Sequence, residues 1–488
     1  MLALLRPGNP FARPRVACHM TAELRWFWTR LNANYWFYPA SFSVLAAGLA
    51  ALCIHLDRSG LAESMNDAGW FIPARPESAS NMLQVIASSM ISVASTVFAI
   101  TITAVVYASG SYGPRLLTNF MEDRGNQLSL ATFIGTFVYA LWVLRTVRAE
   151  DESPSAVEGV ATTLPGFVPQ ISLLVAYTLM AISVAVLVFF LNHIPSGIRI
   201  NTVLKGIGQR LVEAIEDTYP DRTGGDEPAE RPRGPPVLAH GIGYVQFIEF
   251  DDLAEIADRR SCRLVLQVRT GDFVHRGMAL LEMCEGIDPR NQAPTREDDG
   301  AAAGAETLAE EIRNCFTLGA SRTPSQDAEF LMDELVEIGL RALSPGINDP
   351  FTAITSLHWL GAATAEIGQR RLHKDICSDE REDCPVIPLK DDFHHYLNRG
   401  FGAIRSAVAT SPIAANVMLE TLKNAADTID DPERRALLLG EGRALVEQAR
   451  LALNGPDLAE VEQHFGSFVE AFRTMDPRAK PIVGQAAK

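Results

Sequence analysis

Four long apolar runs fill much of the first 200 residues, and shorter apolar stretches at helical spacing follow in the rest of the chain. A helix needs about 20 apolar residues to cross a hydrocarbon core of ~30 Å. The first run is preceded by about 35 residues rich in Arg and Pro, which is not typical of a cleavable signal peptide. The pattern predicts a transmembrane domain over 36–195 with four spanning helices, helix 1 to helix 4, at 36–56, 83–109, 128–147 and 169–193.

Small polar residues and bulky apolar residues occupy opposite faces of helix 2. The polar face, called the hydroxyl face below, repeats every three or four residues and consists of Gln84, Ser88, Ser92, Ser95, Thr96, Ala99 and Thr103. The other face carries Ile86, Met90, Val93, Val97 and Ile100. Small and hydroxylated residues allow close helix packing in a bilayer, and in an oligomer the same face can line a wetted path. Both interpretations stay open, and the predicted packing partner is a patch on helix 3 formed by Thr132, Gly135, Thr136 and Tyr139.

Basic residues are distributed unequally among the segments that flank the predicted spans. Ten Lys and Arg residues lie before helix 1, between helices 2 and 3, and after helix 4, against four in the other two loops. By the positive-inside rule, both termini are predicted to be cytoplasmic. Residues 1–200 carry 12 Arg, no Lys and 11 acids, whereas residues 201–488 carry 31 basic and 48 acidic residues. This split excludes a wholly soluble protein, a secreted disulfide scaffold and a general nucleic-acid binder.

Ionisable residues are sparse inside the predicted spans. No Asp, Glu or Lys lies at mid-span, which disfavours an ion-coupled carrier because such carriers usually need an intramembrane ionisable group. Arg145 lies near the outer end of helix 3, where a long side chain reaches the interface at little cost. It is either the partner of a headgroup or loop carboxylate, or part of an anion-attracting ring at an outer pore mouth.

The predicted fold class is membrane α-helical with an added cytoplasmic α+β region. Residues 1–35 are predicted to be a cytoplasmic segment, and 196–237 an amphipathic stretch followed by a Pro/Gly-rich linker. Residues 238–287 predict a small β-barrel-like module with a hairpin turn at Gly271-Asp272. It resembles biotinyl/lipoyl-like barrels but has no Lys at the modified turn. A loop over 288–305 and a tail over 477–488 flank an α-helical domain, 306–476, with helices predicted at 306–319, 324–343, 350–368, 392–409, 411–429, 432–453 and 457–474.

Two loops of the helical domain hold the densest polar chemistry of the chain. The first contains Arg322, Gln326 and Asp327, and its Thr-Pro-Ser-Gln string over 323–326 predicts a capping box. The second contains Asn348 and Asp349 within a stop–turn–start signal. Both loops precede predicted helices, whose free amides attract anions. These residues are therefore either caps with an Arg–Asp tie or a ligand or gating site.

Motifs of catalysis and of metal binding are absent from the sequence. His394 and His395 are adjacent and point to different helix faces, so they do not complete a tetrahedral metal set. The chain has no phosphate-binding Gly loop, no nucleophile elbow and no zincin motif. The sequence therefore predicts no enzyme, no metal site and no cofactor.

Several short strings, in order along the chain, resemble a known family. They are 35–37 (YWF), 111–117 (SYGPRLL), 133–139 (FIGTFVY), 243–246 (GYVQ), 271–274 (GDFV), 322–327 (RTPSQD) and 342–350 (ALSPGINDP). With them the chain is similar to the bacterial predicted membrane protein family catalogued as domain of unknown function 2254. The resemblance implies a location in the bacterial inner (cytoplasmic) membrane, and it brings no established activity or catalytic residue.

Two functions are compatible with these features. The first hypothesis is a homo-oligomeric, channel-like conduit for ions or small solutes, lined by helix 2 and assembled or gated by the cytoplasmic domain. The alternative is a membrane-anchored sensor or scaffold whose cytoplasmic helices bind a partner without conduction. The predicted partners are membrane lipid, further copies of the chain and an ion or small solute, and nucleic acid is not among them.

Overall fold

The computed structural model describes residues 36–59, 75–113, 123–148, 167–197, 199–219, 222, 231–285, 299–324, 326–374, 376 and 384–475. The chain divides into an N-terminal unit within Pro14–Thr202 and a C-terminal unit that contains Val203–Lys488. This division falls close to the predicted end of the transmembrane domain at 195, where apolar composition gives way to acidic composition.

Four long helices make up most of the described part of the N-terminal unit: α1 (Phe37–Arg58), α2 (Pro76–Tyr112), α3 (Arg124–Leu144) and α4 (Gln170–Gly197). Each contains a stretch long and apolar enough to cross a membrane, which confirms the four predicted runs as candidate spans. α3 is the central helix, because 56% of its apolar window is buried, against 33% or less in the other three. Its side chains Phe133, Tyr139 and Val143 are fully buried in the core of this unit.

α2 is longer at both ends than the predicted helix over 83–109. Pro76 takes its first position, where a fixed φ and a missing N–H favour helix initiation, and the polar residues that follow it lie outside any apolar run. Its candidate span, Pro76–Gly110, has 35 residues, which at 1.5 Å per residue is about 52 Å. Because the hydrocarbon core is only ~30 Å thick, α2 either projects beyond it or crosses it with a strong tilt.

Two small sheets lie in the C-terminal unit. One has the order β1-β5-β3-β7 and the other β4-β2-β6, with β3 and β7 parallel and all other pairs antiparallel. The strands are β1 (Pro236–Leu238), β2 (Gly243–Ile248), β3 (Cys262–Leu266), β4 (Phe273–Val274), β5 (Ala279–Glu285), β6 (Phe316–Gly319) and β7 (Val386–Ile387). The predicted β module is therefore found as two sheets whose buried side chains share one core, and its barrel-like closure stays a prediction. β6 and β7 come from beyond its predicted end at 287.

The helices of the C-terminal unit are α5 (Ile200–Thr218), α6 (Phe250–Arg260), α7 (Asp299–Asn314), α8 (Ala328–Ala342), α9 (Pro350–Gly368), α10 (Phe393–Leu397), α11 (Ala403–Val408), α12 (Pro412–Thr428), α13 (Pro432–Ala452) and α14 (Gly455–Met475). α9 and α12 to α14 match the predicted helices to within two residues. The predicted helix over 392–409 is instead interrupted by a π-helix, Asn398–Gly402, between α10 and α11. Two glycines lie in this wider turn, and Gly400 packs against Met332 of α8.

The prediction of a helix over 306–319 was wrong at both ends. α7 begins at Asp299, inside the predicted loop over 288–305, and it ends at Asn314. The next residues, Phe316–Gly319, form β6 and pair with β2. The alternating Phe-Thr-Leu string suits a half-buried strand. Strand formation depends on a partner, and here the free edge of β2 provides that partner.

α5 packs along α9 in parallel. The indole of Trp359 on α9 lies against Gly208 on α5 and leaves no room for a Cβ there. At the end of α5, the carbonyl of Tyr219 accepts a hydrogen bond from Arg370, which follows α9. In both contacts the partner lies 151 residues later in the chain, so the two helices point the same way.

Candidate functional site

The hydroxyl face of α2 lies on the outside of the N-terminal unit. Its members Gln84, Ser88, Ser92, Ser95, Thr96, Ala99 and Thr103 are all exposed. The bulky side faces the other helices, with Leu83, Ile86, Met90 and Val97 buried. The predicted separation of the two faces is confirmed, apart from Ile100, which is exposed. A single copy of the chain therefore presents the hydroxyl face outward, together with exposed apolar residues such as Val85, Ile91 and Phe98, and buries the bulky stripe.

The hydroxyl groups on this face donate to their own helix. Ser92 Oγ donates to the Ser88 carbonyl at 2.8 Å and Thr96 Oγ1 to the Ser92 carbonyl at 3.0 Å, and Ser88, Ser95 and Thr103 make similar bonds. A hydroxyl oxygen that donates once can still accept, so the face offers a row of acceptor oxygens. From Gln84 to Thr103 the row rises about 28 Å, which matches the thickness of the hydrocarbon core.

The predicted packing partner of the hydroxyl face was wrong. Gly135 of α3 lies against Phe42 of α1. Thr136 and Ser183 of α4 share a hydrogen bond of 3.0 Å, and Tyr139 Oη donates to the Ser172 carbonyl at 3.1 Å. The polar patch on α3 thus forms hydrogen bonds with α4 and packs on α1. A central helix has several neighbours, and its hydroxyl groups bond to the nearest one.

A buried carboxylate that the sequence placed in the loop after helix 1 holds two spans together. Asp57, near the end of α1, is 7% exposed and accepts hydrogen bonds from the Ile171 amide at 2.8 Å and from the Ser172 amide at 3.0 Å. The Ser172 hydroxyl also donates to it at 2.6 Å. Asp57 therefore caps the first turn of α4 from a different helix, which satisfies amides that a bilayer cannot hydrate. At the corresponding end of α3, Arg145 is the C-terminal cap residue and is exposed.

In the C-terminal unit, three of the strings that carry the family resemblance meet at one place. Gly271 has a positive φ of 93° and lies so close to the Asp327 carboxylate and the Arg322 guanidinium that no Cβ fits. Beside it, Thr270 Oγ1 donates to the Gln326 carbonyl at 2.5 Å. Gln246 Nε2 donates to the Ser321 carbonyl at 2.7 Å. The turn between β3 and β4, strand β2 and the loop before α8 therefore form one contact. The prediction of a hairpin at this turn was wrong, because β3 and β4 belong to different sheets.

The capping box predicted for this loop was wrong. α8 begins at Ala328, and its N-cap is Asp327, which accepts from the Phe330 amide at 2.9 Å. Gln326 instead has a left-handed φ of 56°, and its side-chain amide pairs with both the N–H and the C=O of Ile248, at 3.1 and 3.2 Å. The Gln326 side chain thus imitates a peptide group at the edge of β2, a tertiary contact that no local capping pattern reveals.

Arg322 binds two carboxylates in a largely buried position. Its guanidinium pairs in a bidentate manner with Asp327 at 2.7–3.0 Å and with Asp333 at 2.6 Å. Asp333 also accepts two bonds of 2.8 Å from Arg399, which in turn pairs with Glu329 at 2.7 Å. Burial raises the pKa of Asp327, and the charge of Arg322 only partly offsets this effect. The predicted Arg–Asp tie is therefore present, as part of a chain of alternating charges.

The electrostatics of Glu329 give a testable pH dependence. Burial alone raises the pKa of this carboxyl, but the bond from His395 and the charge of Arg399 outweigh it and lower the pKa from 4.5 to about 2. A carboxyl with a lowered folded pKa contributes stability above its unfolded pKa and loses it as pH falls through the folded value. We expect the difference in unfolding free energy between the wild type and Glu329→Gln, on the order of 3 kcal/mol at pH 7, to shrink steadily between pH 4.5 and pH 2.

Urea titrations at several pH values measure this difference. The pKa of Asp327 shifts in the opposite direction in both proteins, and only the smallest of its causes, the charge of Glu329, differs between them. Glu470→Gln is the control, because Glu470 is exposed in its pair with Arg473. A Glu329→Gln difference that stays constant across this pH range would contradict the assigned ion pairs.

The second predicted loop lies apart from this cluster. Asn348 and Asp349 follow the C-terminal end of α8, whereas Arg322, Gln326 and Asp327 lie at its N-terminal end, so the 15 residues of α8 separate the groups by about 22 Å. Asp349 caps α9, accepting from the Thr352 amide at 3.2 Å and from its hydroxyl at 2.6 Å. Asn348 is exposed and has a left-handed φ of 50°. The five residues therefore belong to two places and not to one site.

Sequence reasoning missed a second buried cluster next to the Arg322 network. Asp391 is 1% exposed and pairs with Arg269 at 3.0 Å and with Lys374 at 3.1 Å. It also accepts from Tyr219, whose hydroxyl lies 3.0 Å from that of Tyr396. Burial and the neighbouring Asp391 charge raise the pKa of Tyr396 well above its usual value. In the sequence this cluster is marked only by the Asp391-Asp392 pair, which stands beside His394 and His395 and suggests metal ligands instead.

Comparison with known proteins agrees with the four candidate spans. Residues 32–424 match the family described as "Predicted membrane protein (DUF2254)". Uncharacterised proteins of Mycobacterium bovis and of Mycobacterium tuberculosis are each 30% identical to the chain over 380 residues, which is 77% of this chain and 69% of theirs. No solved structure matches the chain. Because the family match spans most of the sequence, the chain belongs to the DUF2254 family of predicted membrane proteins.

Proposed function

We propose that this protein is a homo-oligomer of the bacterial inner membrane, in which the α2 hydroxyl faces of several copies surround a conduit for ions or small solutes. The C-terminal unit lies in the cytoplasm in this proposal, as the distribution of basic residues favours, and it assembles or gates the ring. The protein acts by passage and not by catalysis.

The observation that carries the proposal is the outward position of the hydroxyl face. Lipid tails offer no partner to a row of acceptor oxygens, whereas bulky apolar side chains suit them well. On α2, Ile86, Met90 and Val97 are buried against its own unit while Ser88 and Ser92 are exposed. The hydroxyls share the outer surface with exposed apolar residues such as Val85 and Phe98, but they form the continuous polar stripe on it. Facing copies of α2, or water enclosed between them, supply the hydrogen-bond donors that this face lacks in lipid.

The chemistry of the face favours passage without ion coupling. Between Gln84 and Thr103 the described α2 residues include no Asp, Glu, Lys or Arg, so the face carries neutral dipoles and no proton relay. Hydroxyl and carbonyl oxygens can replace part of an ion's hydration shell without holding the ion tightly. The exposed Arg145, at the end of α3, is assigned to the outer mouth in this arrangement.

The experiment places Leu at three positions of the hydroxyl face: Ser88→Leu, Ser92→Leu and Thr96→Leu together. We expect this variant to form the same number of subunits in lipid nanodiscs as the wild type but to lose ion flux in proteoliposomes, because Leu closes a wetted path without removing the helix contact. The control is Phe98→Leu with Ile100→Leu, which changes two exposed apolar residues at the edges of the same outer surface and leaves flux unchanged.

Two results would contradict the conduit. A wild-type protein that is monomeric or dimeric in nanodiscs cannot enclose a path with its α2 helices. The second contradicting result combines two observations: the wild type shows no ion flux, and the triple variant loses its subunit contacts. The hydroxyl face would then serve only for helix packing. Attention then moves to the alternative function, a membrane-anchored sensor or scaffold.

A further inference from the structure

The helices of the C-terminal unit run between two chemically different ends. α9 and α12 are parallel, because Gly361 packs on Thr421 and, further along both helices, Gly368 packs on Ile429. α5 is parallel to α9, and all of α5 except its first three residues belongs to the C-terminal unit. The start of α5 at Ile200 therefore marks the end of the unit at which α5, α9 and α12 all begin. We call this the Ile200 end, and it also carries the turns after α8, α11 and α13. The opposite Tyr219 end carries the turns after α9 and α12.

The turns at the two ends differ sharply in charge. At the Ile200 end, the segments 342–351 (ALSPGINDPF), 409–413 (ATSPI) and 451–456 (LALNGP) contain one charged residue, Asp349, which caps α9. At the Tyr219 end, the segments 369–374 (QRRLHK), 388–392 (PLKDD) and 429–435 (IDDPERR) contain eleven charged residues in 18 positions. In an acidic unit, turns almost free of charge are a specific surface property, and the charged residues that flank them directly are the bases Arg199, Arg341 and Arg450 and the acid Asp457.

Exposed apolar side chains concentrate on the same end. Among the described residues of the C-terminal unit, eight large apolar side chains are exposed. Five lie at the Ile200 end: Leu340, Ile347, Phe351, Ile413 and Leu451. Phe351 is 70% exposed and Leu451 90%. The other three, Leu238, Ile242 and Phe273, lie on or next to the strands, which contact the Tyr219 end through Arg269 and Lys390.

The short connection from the fourth candidate span indicates what covers the Ile200 end. The fourth candidate span ends at Ile194 and α5 begins at Ile200, and six residues of chain reach at most about 20 Å even when extended. The end of the C-terminal unit that carries these exposed apolar side chains is thus also the end at which the chain enters the unit from the fourth candidate span. An acidic unit next to anionic lipid is repelled unless the surface that meets the lipid lacks acidic side chains.

We propose that the Ile200 end of the C-terminal unit rests on the lipid bilayer, with Ile347 and Phe351 of the turn between α8 and α9, and Ile413 at the start of α12, inserted at the headgroup level. Apolar side chains on a rigid protein surface bind at this level by burying their area among headgroups and acyl chains. The left-handed residue Asn348 shapes the turn that presents Ile347. This inference does not depend on a conduit or on a particular number of subunits.

The test is photo-crosslinking of the full-length protein in nanodiscs of phosphatidylethanolamine and phosphatidylglycerol. The photoreactive residue p-benzoylphenylalanine replaces Phe351 or, in a second variant, Ile413. The matched control replaces Phe273, an aromatic residue of the β4 strand that is 52% exposed and lies on the side of the Tyr219 end. All three positions are exposed, so folding should be retained, and mass spectrometry of the labelled peptide identifies each adduct.

We expect several-fold more lipid adduct from position 351 or 413 than from position 273. Equal lipid yields at all three positions, or adducts from 351 and 413 only to a second copy of the chain, would overturn the proposal. Lipid adducts are scored whether or not the protein conducts ions, so this result and the flux result are independent.

Discussion

Replacing Arg322 with Ala is expected to lower the free energy of unfolding of the C-terminal unit by about 3–5 kcal/mol. The guanidinium is the shared partner of Asp327 and Asp333, and removing it leaves two neighbouring carboxylates in a largely buried position. Burial already raises the pKa of Asp327 while Arg322 is present, so that carboxyl has little other stabilisation when ionised. Hydrogen exchange of the α8 amides in the full-length protein, followed through urea, measures the loss.

The matched control for Arg322 is Arg473→Ala. Arg473 likewise pairs with an acid close to it in the sequence, Glu470, but both side chains are 66% exposed. Exposed pairs contribute little because water solvates the partner that remains, so the expected change is at most about 0.5 kcal/mol. Equal losses of unfolding free energy for the two substitutions would mean that burial does not determine the contribution of the Arg322 network to stability.

Replacing Asp57 with Ala is expected to have the largest effect in the N-terminal unit, a loss of about 2–4 kcal/mol in stability. Three donors of the first turn of α4 lose their acceptor, and each such bond contributes about 1 kcal/mol or more where water is excluded. Asp57→Asn keeps one acceptor oxygen and should fall between the two proteins. Thermal unfolding in nanodiscs measures the series.

Glu77→Ala provides the comparison for Asp57. Glu77 is an exposed acid in the first turn of its own helix, α2, where only the helix dipole favours it. We expect a change of less than about 1 kcal/mol there. If Asp57→Ala proves as mild as Glu77→Ala, the contact between α1 and α4 does not depend on the buried carboxylate.

The candidate spans could be predicted from the sequence because length and apolar composition are local properties. α9 was predicted over the same residues that it occupies, since Asp349 and Pro350 provide a start signal that needs no distant partner. The Gln326 contact with Ile248 and the Asp57 contact with Ile171 join residues 78 and 114 positions apart. Side chains that satisfy backbone groups at such separations leave no local pattern.

The orientation of α2 shows a different limit. Periodicity separated its two faces correctly, but periodicity cannot say which face meets the rest of the chain. Both a small hydroxylated face and a bulky apolar face pack well against helices in a bilayer. The choice depends on the neighbour, and the bulky side of α2 lies in one buried core with residues of α3 such as Phe133.

The parallel pairing of α5 with α9 also has a consequence for how the chain is made. A ribosome adds about 5–20 residues per second, so roughly 8–30 s separate the synthesis of α5 from that of the partner 151 positions later. During this interval the four large apolar residues that α5 later buries, Leu204, Ile207, Leu211 and Ile215, do not yet have α9 to pack on. We expect the nascent α5 to be bound by lipid or by a chaperone in this interval, because it docks on α9 only after α9 has left the ribosome.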